Sequence, residues 1–405
     1  MEVINKSQKV FLLFVATIWF FVSIDAFFIW GSLGGPLRIA GTAGMFIFSL
    51  LIVNKWVVTA RNLPVMLFIL LYCLWLMRFN NFVVSVAKLF DFIPFLLVLL
   101  WPKAILKEWH GFIRKIIIFF AIGSTVVTVL SLVGVLEYIP HFTLSAHSQL
   151  HKFLDYQYDV YGVFVTIRTG YVARACGPLH EPGHWAIILG FFYLIDRFSG
   201  RKINLWIVIG GLMTFSLNFF LMFVFVEFHN LFSKNFGKTI LYSAIAAVVI
   251  LIMVFVLPPQ TKETLEYMIF ERNADVISAG EGSSGSLTGA LDARAGDYSL
   301  SLYESMDRNS LLFGTGYSDS SSALSDYRGT ILYMGVVGLA LSILLSLSIL
   351  MLRAPWRLRI SLFLCLFLVF LHRGWMMYYA YLFFLSYLAI AVNGTYQKIE
   401  NEKTA

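Results

Sequence analysis

The chain has 405 residues, of which 59% are hydrophobic and only 13% charged, and its formal net charge is +7. Soluble domains carry about 25% charged residues, so this composition excludes an ordinary soluble enzyme and leaves no room for a separate large soluble domain. The mean hydropathy of +0.79 and the many long apolar runs predict an all-α polytopic membrane protein.

In chain order, the apolar runs predict about twelve membrane spans, near 9–31, 37–54, 63–77, 82–101, 113–136, 183–198, 203–217, 218–233, 239–257, 327–352, 358–372 and 374–393. The short pairs meet near Leu217 and His372. No small-residue cleavage site follows the first run, so it reads as a retained span and not a signal peptide. With the N-terminus inside, eighteen Lys and Arg fall in inside segments, and the short outside loops hold only Arg38, Arg78 and Arg373. That bias sets the orientation and puts both termini in the cytoplasm. The positive charge is thereby explained by topology, and nucleic acid is not an expected partner.

Five regions follow: spans 1–136, a first outside loop 137–182, spans 183–257, a second outside loop 258–326, and spans with a cytoplasmic tail 327–405. The first loop carries Tyr138, Tyr156, Tyr158, Tyr161 and Tyr171 with Asp155, Asp159, Arg168 and Arg174. Aromatic rings, carboxylates and arginine together suit sugars, although an ordinary ordered loop has the same composition. The second loop has a Gly/Ser-rich patch from Ser278 to Thr288, then Arg294, a helix-like run to Arg308, Gly314-Thr-Gly316 and a Ser-rich stretch to Asp326. No internal repeat is visible. Cys73, Cys176 and Cys365 fall in different segments and read as buried apolar residues without a disulfide framework.

Few charges interrupt the spans. Lys88 and Asp91 lie three apart on one helix face and can neutralise each other. Asp25 sits near an outer end, Glu227 and His229 near the inner surface, and His372-Arg373 at an outer edge, where arginine serves as an anchor or meets a phosphate.

The densest polar stretch is Arg174-Ala-Cys-Gly-Pro-Leu-His-Glu-Pro-Gly-His184. It ends the first loop and opens an apolar helix expected from about Gly183 to Phe198. Pro182 suits a first helical turn, which puts Glu181 just before the helix N-terminus. His180-Glu181-Pro-Gly-His184 also matches H-E-x-x-H letter for letter. A zinc protease needs both histidines one turn apart on a continuous helix. Pro182 disfavours helical geometry at Glu181 and leaves His180 outside, so neither a metal nor another cofactor is expected.

Taken together, these motifs resemble the O-antigen polymerases, and more loosely the O-antigen ligases, of bacterial surface-polysaccharide synthesis. The resemblance rests on Arg174-x-x-Gly177 followed by Glu181-Pro182-Gly183 in one loop. It continues with Arg294 and Gly314-x-Gly316 in the other, and with Asp326 before Gly335-x-x-Gly338. It covers mainly 170–200 and 290–345, and the His-Asn pair of some ligases is missing. The resemblance implies a metal-independent glycosyltransferase of the C type in the bacterial inner membrane, with two large periplasmic loops. Its substrates would be undecaprenyl-pyrophosphate-linked oligosaccharides, with membrane lipid around it and room for a polysaccharide chain-length regulator on the apolar surface. Arg174 and Arg294 are the first expected pyrophosphate clamps, Arg328 and Arg373 the next, and Tyr171 and Tyr317 the expected sugar contacts. Glu181 is the first expected base, with His180, His184 and Asp326 behind it. A ligase, a lipid-linked oligosaccharide flippase and a non-catalytic assembly partner remain alternatives. A flippase would carry charges along several spans and have short loops, whereas the unusual residues here collect in two loops.

Overall fold

The computed structural model describes residues 6–24, 26–29, 34–53, 62–79, 93–94, 96–98, 100–145, 157–169, 172–198, 202–233, 297–316, 327–350, 363, 365–367 and 369. These residues are mostly helical. Ten helices and one sheet organise them: α1 Lys6–Ser23, α2 Gly34–Ile52, α3 Asn62–Met77, α4 Lys103–Leu132, α5 Pro182–Phe198, α6 Leu205–Leu212, α7 Leu217–Ser233, α8 Asp297–Glu304, α9 Arg308–Phe313 and α10 Tyr327–Leu350. Two stretches, Ala104–Leu132 in α4 and Tyr327–Leu347 in α10, are long and apolar enough to cross a membrane.

The helix α3 is apolar on more than one face. Val65, Ile69, Tyr72, Cys73 and Leu76 are buried, yet Leu63, Leu67, Leu70, Leu74 and Met77 on another face are exposed. A helix that is apolar all round needs apolar surroundings on every side. The helix α5 differs, because every residue from Pro182 to Asp196 is buried. It forms the centre of the fold, against α4, α6 and α7.

Polar ties fix this centre at two levels. Between α1, α2 and α4, Trp109 Nε1 donates to Thr17 Oγ1 at 3.3 Å and Trp101 Nε1 to Ser49 Oγ at 3.2 Å. At the far end of α5, fully buried Asp196 takes a two-pronged ion pair from Arg114 of α4, the closest contact 2.7 Å. Glu227 of α7 accepts from Tyr193 and from Arg197 at 3.3 Å, so that charge within an apolar run is an internal brace. Asp25, Lys88 and Asp91 lie outside the described residues.

The structure corrects several expectations. The description all-α fails in the first loop, where β1 Phe142–Ser145, β2 Gln157–Tyr161, β3 Phe164–Thr169 and β4 Val172–Gly177 form an antiparallel meander in the order β1-β2-β3-β4. The turn Gly162-Val163 pairs Tyr161 with Phe164. Gly162 has φ +65, and Val163 is not among the residues of positive φ, as a type II′ hairpin requires. Tyr158, Asp159 and Tyr161 are buried in this sheet and present no platform for a sugar.

The run expected as a span at 203–217 holds only the eight-residue α6. At about 1.5 Å per residue it is too short for a hydrocarbon layer of about 30 Å. Asn204 caps α6 by accepting from Trp206 N at 2.9 Å, and the chain breaks at 213–216 before α7. The first helix ends at Ser23 and not near 31, and α4 begins at Lys103, ten residues before the expected 113. The spans expected at 239–257 and 374–393 lie outside the described residues, as do most of 82–101 and 358–372.

Candidate functional site

The strand β4 delivers Arg174 and Cys176 to the mouth of α5. A β-bulge between Val165 and Thr166 of β3 shifts the register, so that Thr166 faces Ala175 and Val165 faces Gly177. Gly177 then turns with φ +61, and a Cβ there would lie 2.6 Å from the ring of Trp185. Only glycine satisfies both the left-handed backbone and the close approach. Leu179 N donates to Cys176 O at 3.0 Å, closing the turn. Pro182 opens α5, Glu181 O accepts the first helical bond from Trp185 N at 3.2 Å, and His180 stays in the preceding bend. The sheet is locked on α4 by Ala173 N donating to Ser131 Oγ at 2.6 Å. Phe164 adds to this by packing on Phe119 and Phe120 at centroid distances of 5.4 and 6.0 Å.

Burial pushes the Cys176 thiol well above its ordinary range, the Arg174 charge pulls it back, and the Glu181 charge pushes it up again. This cysteine is neutral at physiological pH and unsuited to nucleophilic work. Glu181 is half-buried, while His180 and His184 are buried with ring centroids 5.3 Å apart in an edge-to-face arrangement.

One donor atom from each of His180, Glu181 and His184 can lie within 4.8 Å of the others, the described group able to hold a metal ion. Zinc takes such donors at about 2.0–2.2 Å, which sets tetrahedral donors about 3.4 Å apart. His180 approaches from the bend and not from the helix turn before His184, so the H-E-x-x-H helix is not formed here.

Arg174 does more than the sequence suggests. Its Nε and Nη2 donate to Thr214 O at 3.3 and 3.2 Å, and Nη2 also to Phe215 O at 3.3 Å. These carbonyls belong to the break between α6 and α7, where Phe215 has φ +48. Thr214 Oγ1 donates to Gly211 O at 2.6 Å and accepts from Ser216 N at 3.3 Å. Arginine thus ties the sheet to a strained turn. Sequence reasoning missed Thr214 and Phe215 because a backbone acceptor leaves no mark on residue type.

A second corner forms where α9 meets α10. The helix α10 is broken at Gly335, φ 73 and ψ 177. A break of this kind orphans carbonyls of the preceding turn. Thr315 N donates to Leu332 O at 2.9 Å, Gly316 N to Tyr333 O at 3.0 Å, and Trp75 Nε1 to Met334 O at 2.9 Å. Gly314 lies directly against Gly335. The expected Gly314-x-Gly316 and Gly335-x-x-Gly338 motifs are therefore the two halves of one backbone junction. Asp307 caps α9 through Ser310, and that contact holds its carboxyl below the ordinary carboxylate range. Arg328, in the first turn of α10, is 4% exposed with its guanidinium carbon 6.0 Å from the ring centre of Tyr303.

Of the residues expected at the site, the structure brings His180, Glu181 and His184 together, ties Arg174 on the strand leading to them to the 214–215 turn, and holds Arg328 at the second corner. Tyr171, Arg294, Tyr317, Asp326 and Arg373 lie outside the described residues. No family model matches the chain, and no curated protein or solved structure matches it.

Proposed function

We propose that the chain is a glycosyltransferase of the inner membrane that polymerises undecaprenyl-pyrophosphate-linked oligosaccharide units into a surface polysaccharide on the periplasmic side. The observation that carries this reading is the placement of Arg174 on β4 and of Glu181 directly before α5, joined by the tight turn at Gly177. A cation and a carboxylate at one corner are the two groups this transfer needs. The Glu181 carboxylate takes the proton of the acceptor hydroxyl. The acceptor oxygen bonds to the anomeric carbon, and the bond from that carbon to the pyrophosphate oxygen breaks. The electron pair leaves on the pyrophosphate, where Arg174 meets the developing charge. A guanidinium has five donors, which allows it to brace the 214–215 carbonyls and contact phosphate together. Arg294, Arg328 and Arg373 are the further cations proposed, and Tyr171 and Tyr317 the sugar contacts. His180 and His184 flank the base, with Asp326 as an alternative base.

The multi-pass topology is part of the proposal. Reporters fused near Gln157 and Ser284 are expected to report periplasm, and those near Lys107 and Arg357 cytoplasm. A cytoplasmic signal at either large loop would overturn the substrate assignment.

The decisive functional test is deletion of the gene followed by gel analysis of the surface polysaccharide. Loss of a polymerase leaves one repeat unit on the lipid core, whereas loss of a ligase or flippase leaves none. In membranes, polymerisation is expected to survive strong chelation, and the purified protein to carry no stoichiometric zinc. Stoichiometric zinc that disappears in His184→Ala would favour a metal-dependent reaction at His180, Glu181 and His184 instead.

A further inference from the structure

We infer that Arg78 and the exposed face of α3 form a binding site for a lipid with a phosphate headgroup, separate from the corner at Arg174. Arg78 follows the last residue of α3, and its amide donates to Trp75 O at 3.2 Å, so the helix ends in a tight final turn. Three rings surround its guanidinium carbon: Phe313 at 5.0 Å, Trp75 at 5.4 Å and Phe79 at 5.7 Å to the ring centres. The cage is rigid. Trp75 is pinned by its bond to Met334 O at 2.9 Å, and Phe79 packs on Tyr333 at 5.6 Å.

Contacts to ring faces hold a guanidinium without consuming its N–H edges, which remain a planar fork for phosphate. Arg78 is exposed, and among the described residues no carboxylate lies within ion-pair distance of it. An exposed cation held against ring faces, with no described carboxylate beside it, is a ready anion site.

The source of the anion follows from α3 itself. Leu63, Leu67, Leu70, Leu74 and Met77 are exposed, and their spacing of three and four makes one stripe along the helix. That stripe ends at the arginine. At about 1.5 Å per residue the helix gives a hydrocarbon tail a track of about 24 Å. An apolar stripe capped by a caged cation matches an amphiphile whose tail lies on α3 and whose phosphate meets Arg78. This assignment rests on the membrane reading and not on the polymerase activity.

The test uses the full chain purified in neutral detergent. Undecaprenyl pyrophosphate, phosphatidylglycerol and inorganic pyrophosphate are the probes, and bound ligand is read by native mass spectrometry. Arg78→Gln is expected to weaken lipid retention by about tenfold or more, the loss of one charge-assisted contact, and Arg78→Lys to keep part of it. Loss of both lipids marks a general headgroup site. Loss of undecaprenyl pyrophosphate alone marks a carrier-lipid site. If Arg78→Gln does not accumulate, Phe313→Leu loosens the cage without removing the charge and should give an intermediate loss. Retention of both lipids at wild-type levels by folded Arg78→Gln overturns the site. A loss confined to inorganic pyrophosphate overturns the lipid assignment.

Discussion

Gly335→Ala is expected to remove the folded protein, or to lower its melting temperature by many degrees, while Gly111→Ala leaves it unchanged or slightly stabilised. Gly335 has φ 73 and ψ 177, a region open essentially only to glycine and costing other residues about 1–3 kcal/mol, and a Cβ there would lie 2.3 Å from Leu312 O and 2.5 Å from Gly314 N. Those neighbours are backbone, so no rotamer change relieves the overlap. The two segments must part. Parting strains the bonds from Thr315 N, Gly316 N and Trp75 Nε1 to the α10 carbonyls, each contributing about 0.5–1.5 kcal/mol. The sum reaches several kcal/mol of a total that is typically about 5–15 kcal/mol. Gly111 lies inside α4 with nothing within 4 Å of a built Cβ, and alanine there stabilises by about 0.4–1 kcal/mol through the unfolded chain. Thermal unfolding of the purified variants reads both. A Gly335→Ala variant that melts with the wild type would mean that the broken helix is not the state the protein adopts.

The same junction shows what the sequence revealed and what it hid. Gly314, Gly316, Gly335 and Gly338 stood out as motif residues, but residue letters cannot say that two of them face each other across a helix break. Hydropathy placed α3 and α7 to within a residue and the start of α5 one residue late, and Pro64 and Pro182 mark the starts of α3 and α5. It failed at 213–216, where Met213-Thr-Phe-Ser216 continues an apolar run and no glycine or proline announces the turn. Phe215 takes a positive φ there because Arg174 and the Thr214 hydroxyl secure the turn. The sheet was legible in principle. Tyr158 to Ala175 is rich in β-branched and aromatic residues, and Gly162 and Gly170 punctuate it at strand spacing. The same stretch is rich in tyrosine and carries Asp159, and so resembles a sugar-binding surface, yet Tyr158 and Tyr161 are buried. At the candidate site, the sequence singled out Arg174, His180, Glu181 and His184 from their density alone. It could not show that Arg174 also braces a second segment.

That double attachment sharpens the most informative experiment on the proposed reaction. Losing one bidentate contact to a departing pyrophosphate should slow transfer on the order of a hundredfold or more. Arg174→Ala and Arg294→Ala are each expected to collapse the polymer to single repeat units at normal protein level, while Arg272→Ala, in the same loop as Arg294 but outside its motif, changes little. Arginine to lysine keeps the charge and loses the fork, so it should rescue only in part. For Arg174 a bracing role predicts something different. The carbonyls of Thr214 and Phe215 would lose their donors, and melting temperature and protein level would fall together with polymer length. Melting temperature and polymer length read together on Arg294→Ala separate an effect on chemistry from one on folding there as well. Polymer of full length from both alanine variants, at normal expression, would show that neither arginine clamps the leaving group. Short polymer from Arg294→Ala with an unchanged melting temperature is the outcome that only a direct role in the transfer explains.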